Sequence, residues 1–223
     1  MTHERAFDGS ALKVLAGIEA LGREHGLTFI LDSGTLLGLV RGGQLIAGDL
    51  DVDVSVVDVA AFKALVRKSD AGRVWRFAGQ PYKLELPLPG VGHTLDVKLF
   101  RRSGQGWISP AVGAATTSEG GRGGARRLLR PLWRLALRHG DAARFPMNMV
   151  SRTDAWVVPA AYFDQAALLE GFSHCAMPAD PEAYLAYRYG SDWQVPRANW
   201  VSWRDDGGYA RDQGRALREA AGS

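Results

Sequence analysis

Residues 46–55 read I-A-G-D-L-D-V-D-V-S, with an aspartate at every second position among aliphatic residues. Alternation is the period of a β-strand, so the pattern puts Asp49, Asp51 and Asp53 on one face and Leu50, Val52 and Val54 on the other. One face of such a strand must be buried. The other carries like charges that repel one another unless something positive stands between them. A charged edge strand facing water is the simpler alternative. With a rise of about 3.3 Å per residue, alternate positions lie about 6.6 Å apart and the outer pair about 13 Å apart, so neighbours can share one ion and Asp49 and Asp53 cannot.

The flanking patterns supply the rest of a mixed fold. Leu12, Leu15, Ile18 and Leu21 recur at helical spacing and Gly26 follows as a stop, which predicts a helix over 10–25. The run 27–32 (L-T-F-I-L-D) predicts a short strand, broken by S-G-T-L-L-G before a second apolar turn. Residues 58–69 return to helical spacing with Asp58 as N-cap. Stretches 75–78, 82–88, 93–100 and 106–109, separated by Gly and Pro, read as antiparallel strands. Beyond Trp156 come a strand or loop (A-W-V-V-P), helical patterns over 162–169 and 181–189, and a polar tail. No internal repeat or linker interrupts the chain, which predicts one domain over 1–223.

The chain has 223 residues, 46% of them hydrophobic, enough for one good core. Its single cysteine, Cys175, excludes an internal disulfide and any cysteine metal cluster, and fits a small buried residue in a reducing compartment. The polar start M-T-H-E-R-A-F-D lacks an apolar core for a signal peptide and no transmembrane run follows, so a cytoplasmic location is expected. The formal charge of +3 is uneven: residues 119–144 hold seven arginines and two acids. Basicity confined to one segment argues against nucleic acid as a partner. Arg126, Arg130, Arg134 and Arg138 step by four along an amphipathic pattern, so 122–144 is a candidate for peripheral contact with an anionic membrane face, or simply a solvated helix face.

The chemistry gathers around the aspartates. A hard divalent cation such as Mg²⁺ (or Mn²⁺) takes oxygen ligands, usually one or two carboxylates plus phosphate oxygens and water. Asp49, Asp51 and Asp53, with Asp96 from the later L-D-V-K-L-F strand, offer such a face. Ser33, Gly34 and Thr35 just upstream present backbone N–H groups and small hydroxyls suited to phosphate, and Arg41 adds a forked cationic donor to the same anion. His93 and Lys98 flank Asp96 and are further candidates for phosphate or acceptor contact, each also readable as an ordinary polar or ion-paired residue.

The stretch G-T-L-L-G-L-V-R-G-G-Q-L-I-A-G-D-L-D-V-D-V resembles the signature of the LicD family, which includes bacterial phosphorylcholine transferases and the animal fukutin and fukutin-related proteins. P-A-D-P-E-A-Y-L-A-Y-R-Y-G-S-D-W-Q-V-P (178–196) resembles that family's closing motif. Two departures stand out: Ala47-Gly48 replace a common Pro-Trp, and Leu50 replaces a frequent additional aspartate. The resemblance implies an α+β fold, a nucleotidyltransferase-like mixed β-sheet flanked by helices with a C-terminal helical extension. Its catalytic core covers about 10–110, a basic helical insertion about 119–145 and a closing helical part about 156–200. It implies a metal-dependent transferase that moves cholinephosphate or an alditol phosphate from a CDP-linked donor to a glycan acceptor. By the family's pattern Asp51 and Asp53 hold the metal, while the wider nucleotidyltransferase spacing from Gly34-Thr35 permits Asp49 and Asp51. Asp96 is a third ligand or the base that takes the acceptor's proton. The alternative with the same fold is a nucleotidyltransferase placing a nucleoside monophosphate on a sugar, antibiotic or protein.

Overall fold

The computed structural model describes residues 7–70, 72–88, 90–104, 106–111 and 154–222. Helix α1 (Gly9–His25) starts at Asp8, whose carboxylate accepts from the Ala11 N–H, and ends at Gly26, whose φ of 62° closes the last turn. Strand β1 (Phe29–Leu31) leads into helix α2 (Ser33–Gly42), strand β2 (Asp51–Val56) and helix α3 (Val59–Lys68). Asp58 caps α3 through the Ala61 N–H, as its position predicts. Strands β3 (Arg73–Phe77), β4 (Gln80–Leu88), β5 (His93–Leu99), β6 (Arg101–Ser103) and β7 (Gly106–Pro110) follow. The later part holds β8 (Ala155–Pro159), α4 (Ala160–Asp164), β9 (Ala167–Leu168), β10 (Cys175–Met177) and α5 (Pro181–Tyr189). It ends in α6 (Ser202–Asp205), β11 (Tyr209–Ala210) and α7 (Gly214–Gly222).

These elements make an α+β fold with two sheets. The larger has seven strands in the order β3-β4-β5-β2-β1-β10-β9, and the smaller has four in the order β11-β8-β7-β6. The larger is mixed: β2 runs parallel to β5, and β1 parallel to β10, while its other pairings are antiparallel. Val52, Val54 and Val56 of β2 and Leu95, Val97 and Leu99 of β5 are completely buried and join Leu15, Ile18, Phe29 and Leu36 in the main core. Each such side chain contributes roughly 1.5–3 kcal/mol by leaving water. The opposite face of β2 and β5 is left for the charged residues, and this division of faces positions the site.

Three expectations need correction. The S-G-T-L-L-G stretch is not a turn but the start of α2, capped by Asp32, whose carboxylate accepts from the Ser33 N–H at 2.6 Å. The aspartate strand begins at Asp51 rather than near residue 46, because Ile46–Asp49 closes a turn through Asp49 N–H to Ile46 O at 3.0 Å, with Gly48 at a φ of 80°. Leu50, outside the strand, is 65% exposed instead of packed. The closing part is not purely helical: β9 and β10 extend the large sheet, and β8 and β11 belong to the small one. Those strands are only two to five residues long, too short for alternation to announce them.

Cys175 is buried, and the loss of water there, with Glu19 nearby, pushes its thiol pKa up to about 12. No helix among the described residues is long and apolar enough to cross a membrane. The Gly-rich stretch 116–124, the basic insertion 119–145 and the arginine stripe, with its expected membrane contact, lie outside the described residues.

Candidate functional site

A cavity of about 500 Å³ opens over the N-terminus of α2. Ser33, Gly34, Arg41, Asp49, Asp53 and Lys98 line it from one group of elements. Trp156, Arg188, Tyr189, Trp193 and Trp200 line it from the closing part. Six of the sequence candidates are thus brought together. Thr35, Asp51, His93 and Asp96 are not part of the lining.

Asp49 and Asp53 lie closer together than the spacing of an extended strand would put them. A Cβ placed on Gly34 would lie 3.1 Å from Asp49 Oδ2 and 3.8 Å from Asp53 Oδ2, so both oxygens face the same space above that glycine. The strand-based separation fails because the turn at Gly48 takes Asp49 off the strand and folds it back toward α2. A side chain at residue 34 would press on the Asp49 carboxylate.

Each of these carboxylates is oriented by its other oxygen. Asp49 Oδ1 accepts from the Asp51 N–H at 3.2 Å, and Asp53 Oδ1 accepts from Lys98 Nζ at 2.7 Å. Burial works against the Lys98 ammonium, but Asp53, Asp96 and Asp32 outweigh it and hold its pKa above the ordinary lysine value. Thr35 is buried, and its hydroxyl accepts from the Asp53 N–H at 2.8 Å. It therefore ties α2 to β2 from behind the site.

Asp53 and Asp96 face each other as partners in the parallel β2–β5 pairing. Lys83 of β4 sits 2.8 Å from Asp96 Oδ2 and 2.9 Å from Glu85 Oε1, while Asp96 Oδ1 is buried without a hydrogen-bond donor. Asp51 is exposed at the rim, with a pKa raised above the ordinary carboxylate value. Partial loss of water is the first cause, and repulsion from Asp53, Asp49 and Asp96 adds to it. His93 stands at the start of β5 with Nδ1 2.8 Å from Val91 O.

The hydrogen-bond centre under the cavity was not singled out in the sequence. Asp32 receives Ser55 Oγ at 2.6 Å, Tyr184 Oη at 2.8 Å and Arg188 Nη1 at 2.9 Å. Arg188 also holds Asp206 with two bonds, at 2.7 and 2.8 Å, and its guanidinium lies 5.3 Å from the Trp156 ring centre. The visible signal for Asp32 is an Asp-Ser pair before an apolar run, an N-cap pattern. Arg188 lies within the closing motif, four residues from Tyr184 and so on the same helical face. Tyr184 is core, as its position on α5 suggests, while Tyr189 and Trp193 are buried yet reach the cavity. Asp192 closes a turn with Val195 and pairs with Arg197.

The donors of this site suit a divalent cation. They are the hard carboxylate oxygens of Asp49 and Asp53, and beside them partial loss of water, then repulsion from Asp53 and Asp49, raises the Asp51 pKa. Among the described residues no three His, Cys, Asp or Glu side chains form a ready-made cage. Mg²⁺ seldom uses one, taking one or two carboxylates and completing its shell with phosphate and water.

Residues 26–86 match the family model described as LicD/FKTN/FKRP, nucleotidyltransferase domain. The LicD resemblance holds over that segment. The LicD-type match runs from β1 through α2, β2, α3 and β3 into β4, so it contains Gly34, Arg41 and all three clustered aspartates. It stops before Asp96, Lys98 and the closing motif. A LicD-type match points to a transferase of phosphotransferase type. No curated protein matches the chain.

Proposed function

We propose that the protein transfers a phospho-alcohol, cholinephosphate or an alditol phosphate, from a CDP-activated donor to a hydroxyl of a glycan, with Mg²⁺ or Mn²⁺ as cofactor. The observation that carries this reading is the convergence of Asp49 Oδ2 and Asp53 Oδ2 above Gly34, at the N-terminus of α2 and in one cavity with Arg41. Asp49 and Asp53 hold the cation, Asp51 at the rim adds negative charge, and Asp96 stands behind them. The bound cation supplies neutralisation of the diphosphate charge.

The residues of the chain do the remaining work. The Ser33 hydroxyl and the Gly34 N–H at the start of α2 receive phosphate oxygens, as helix N-termini do, while Asp32 occupies the Ser33 N–H. Arg41 grips the same anion and steadies the departing nucleotide. Lys98 fixes the rotamer of Asp53, leaving Oδ2 to the site. Positioning of this kind, rather than covalent chemistry by the protein, supplies most of phosphoryl-transfer catalysis. As the new O–P bond forms, the P–O bond to the departing nucleotide breaks and the acceptor hydroxyl's proton goes to water, while Asp96, outside the lining with Oδ2 on Lys83, supports the charge balance behind Asp53.

A thermal-shift panel with CDP, CTP, ATP, GTP and UTP, with and without Mg²⁺ or Mn²⁺, tests this. A ligand at 100 times its dissociation constant stabilises by about 2.7 kcal/mol. The expected result is a metal-dependent shift with CDP above the others. An ATP-selective shift turns the assignment to nucleotidyl transfer.

A further inference from the structure

The cavity has a second half that the phosphate chemistry leaves unused. Trp156, Tyr189, Trp193 and Trp200 line it, a density of aromatic rings well beyond what a diphosphate needs. Tyr189 and Trp200 pack with ring centres 4.8 Å apart, which leaves Trp200 held from behind by a buried neighbour. Trp200 Nε1 is itself buried without an acceptor. A buried indole N–H normally finds a partner, and one left unpaired carries a desolvation cost that a ligand's acceptor can relieve.

We infer that this aromatic wall is the nucleobase subsite of the donor, and that Trp200 Nε1 donates to a ring carbonyl of the base. The inference rests on the proposed nucleotide-activated donor. Three properties of the wall select a base over the other flat or aromatic-seeking groups. Bases stack on aromatic side chains whatever their sequence, because each has a π-face. The orphaned donor asks for an acceptor, which a quaternary ammonium head group lacks. The wall shares one cavity with Ser33, Gly34 and Arg41, so a group stacked on it can be continuous with a phosphate held there. The wall also opens on the aspartates: Asp49, Asp53 and Tyr189 line one cavity. A base at Trp200 and a diphosphate at Gly34 thus belong to one ligand.

Calorimetric titration of the full chain with CDP, ADP and inorganic pyrophosphate, each with Mg²⁺, tests the assignment. CDP is expected to bind about tenfold tighter than pyrophosphate, with ADP, whose base has no ring carbonyl, weaker than CDP. Trp200→Phe should erase the preference for CDP over ADP and weaken CDP, while pyrophosphate binds as before and so certifies the fold and the phosphate half. Equal binding of CDP and pyrophosphate by the unaltered chain overturns the base subsite and leaves the diphosphate site standing. Unchanged CDP affinity in Trp200→Phe, or displacement of CDP by choline alone, also overturns it. Failure of all three ligands to bind overturns the donor reading and this inference together.

Discussion

Arg188 Nη1 stands 2.9 Å from Asp32 Oδ1, across 156 positions of chain. The bond joins the closing helix α5 to the cap of α2, and Arg188 continues to Asp206 near the C-terminal end. Arg188, Asp32 and Asp206 are all buried. Removing one partner of such a group strands the others as uncompensated charges, which typically costs 3–5 kcal/mol. Arg188→Met should lower the unfolding free energy by about 3 kcal/mol or more. Urea unfolding followed by far-UV circular dichroism measures it, and a loss under about 1 kcal/mol shows that the network does not hold these parts together.

The same network gives a pH dependence. Burial alone would raise the Asp32 pKa, but Arg188 and Lys98 and the hydrogen bonds from Ser55 and Tyr184 pull it below the ordinary carboxylate value. A group depressed in the folded state contributes stability above its unfolded pKa, about 3.9, and that contribution is lost as pH falls through the lower folded value. Stability should therefore decline on acidification below about pH 4. The decline should be shallower in Asp32→Asn, compared by urea midpoints across the acid range. Parallel acid limbs in the two proteins show that Asp32 does not set the slope.

Asp51 behaves oppositely. With its pKa raised in the folded state, its ionisation disfavours folding progressively as pH rises through that raised value, and the penalty persists at neutral pH. Asp51→Asn should leave neutral-pH stability unchanged or higher by up to about 0.5 kcal/mol, as suits an exposed position, while weakening divalent-cation binding. A clear drop in melting temperature assigns Asp51 a structural partner instead.

Gly38 governs where Asp49 stands. A Cβ there would lie 2.5 Å from Gln44 O and 3.1 Å from Ile46 N, so α2 and the chain leading to the Gly48 turn touch backbone to backbone. Gly38→Ala must push that chain away, at a cost of about 1–3 kcal/mol. Asp49 should move with it, and cation affinity should fall although no ligand is altered. Retained affinity at reduced stability separates the turn from the site.

Much of this arrangement was legible because local patterns carried it. The caps Asp58 and Gly26 and the alternation of Asp51 and Asp53 with buried valines each follow from neighbouring residues. What escaped depends on contacts between distant segments. The Gly48 turn brings Asp49 back over Gly34, which alternation alone denies. Arg188 reads as an ordinary helix charge until Asp32 and Asp206 converge on it. The S-G-T stretch reads as a turn because serine and glycine are common turn residues, yet it forms the first turn of α2, entered through Ser33 at a left-handed φ of 47°.

Titration of Mn²⁺ into the protein, with the free aquo ion followed by electron paramagnetic resonance in the presence of CDP, examines the site itself. Beyond the Mn²⁺ that CDP alone chelates, the unaltered chain should remove further Mn²⁺ from solution, and Asp49→Asn and Asp53→Asn should each weaken that uptake at least tenfold, which corresponds to about 1.4 kcal/mol. Uptake equal in all three proteins, or absent from the unaltered chain with CDP in excess, means that Asp49 and Asp53 do not form a cation site for a nucleotide donor.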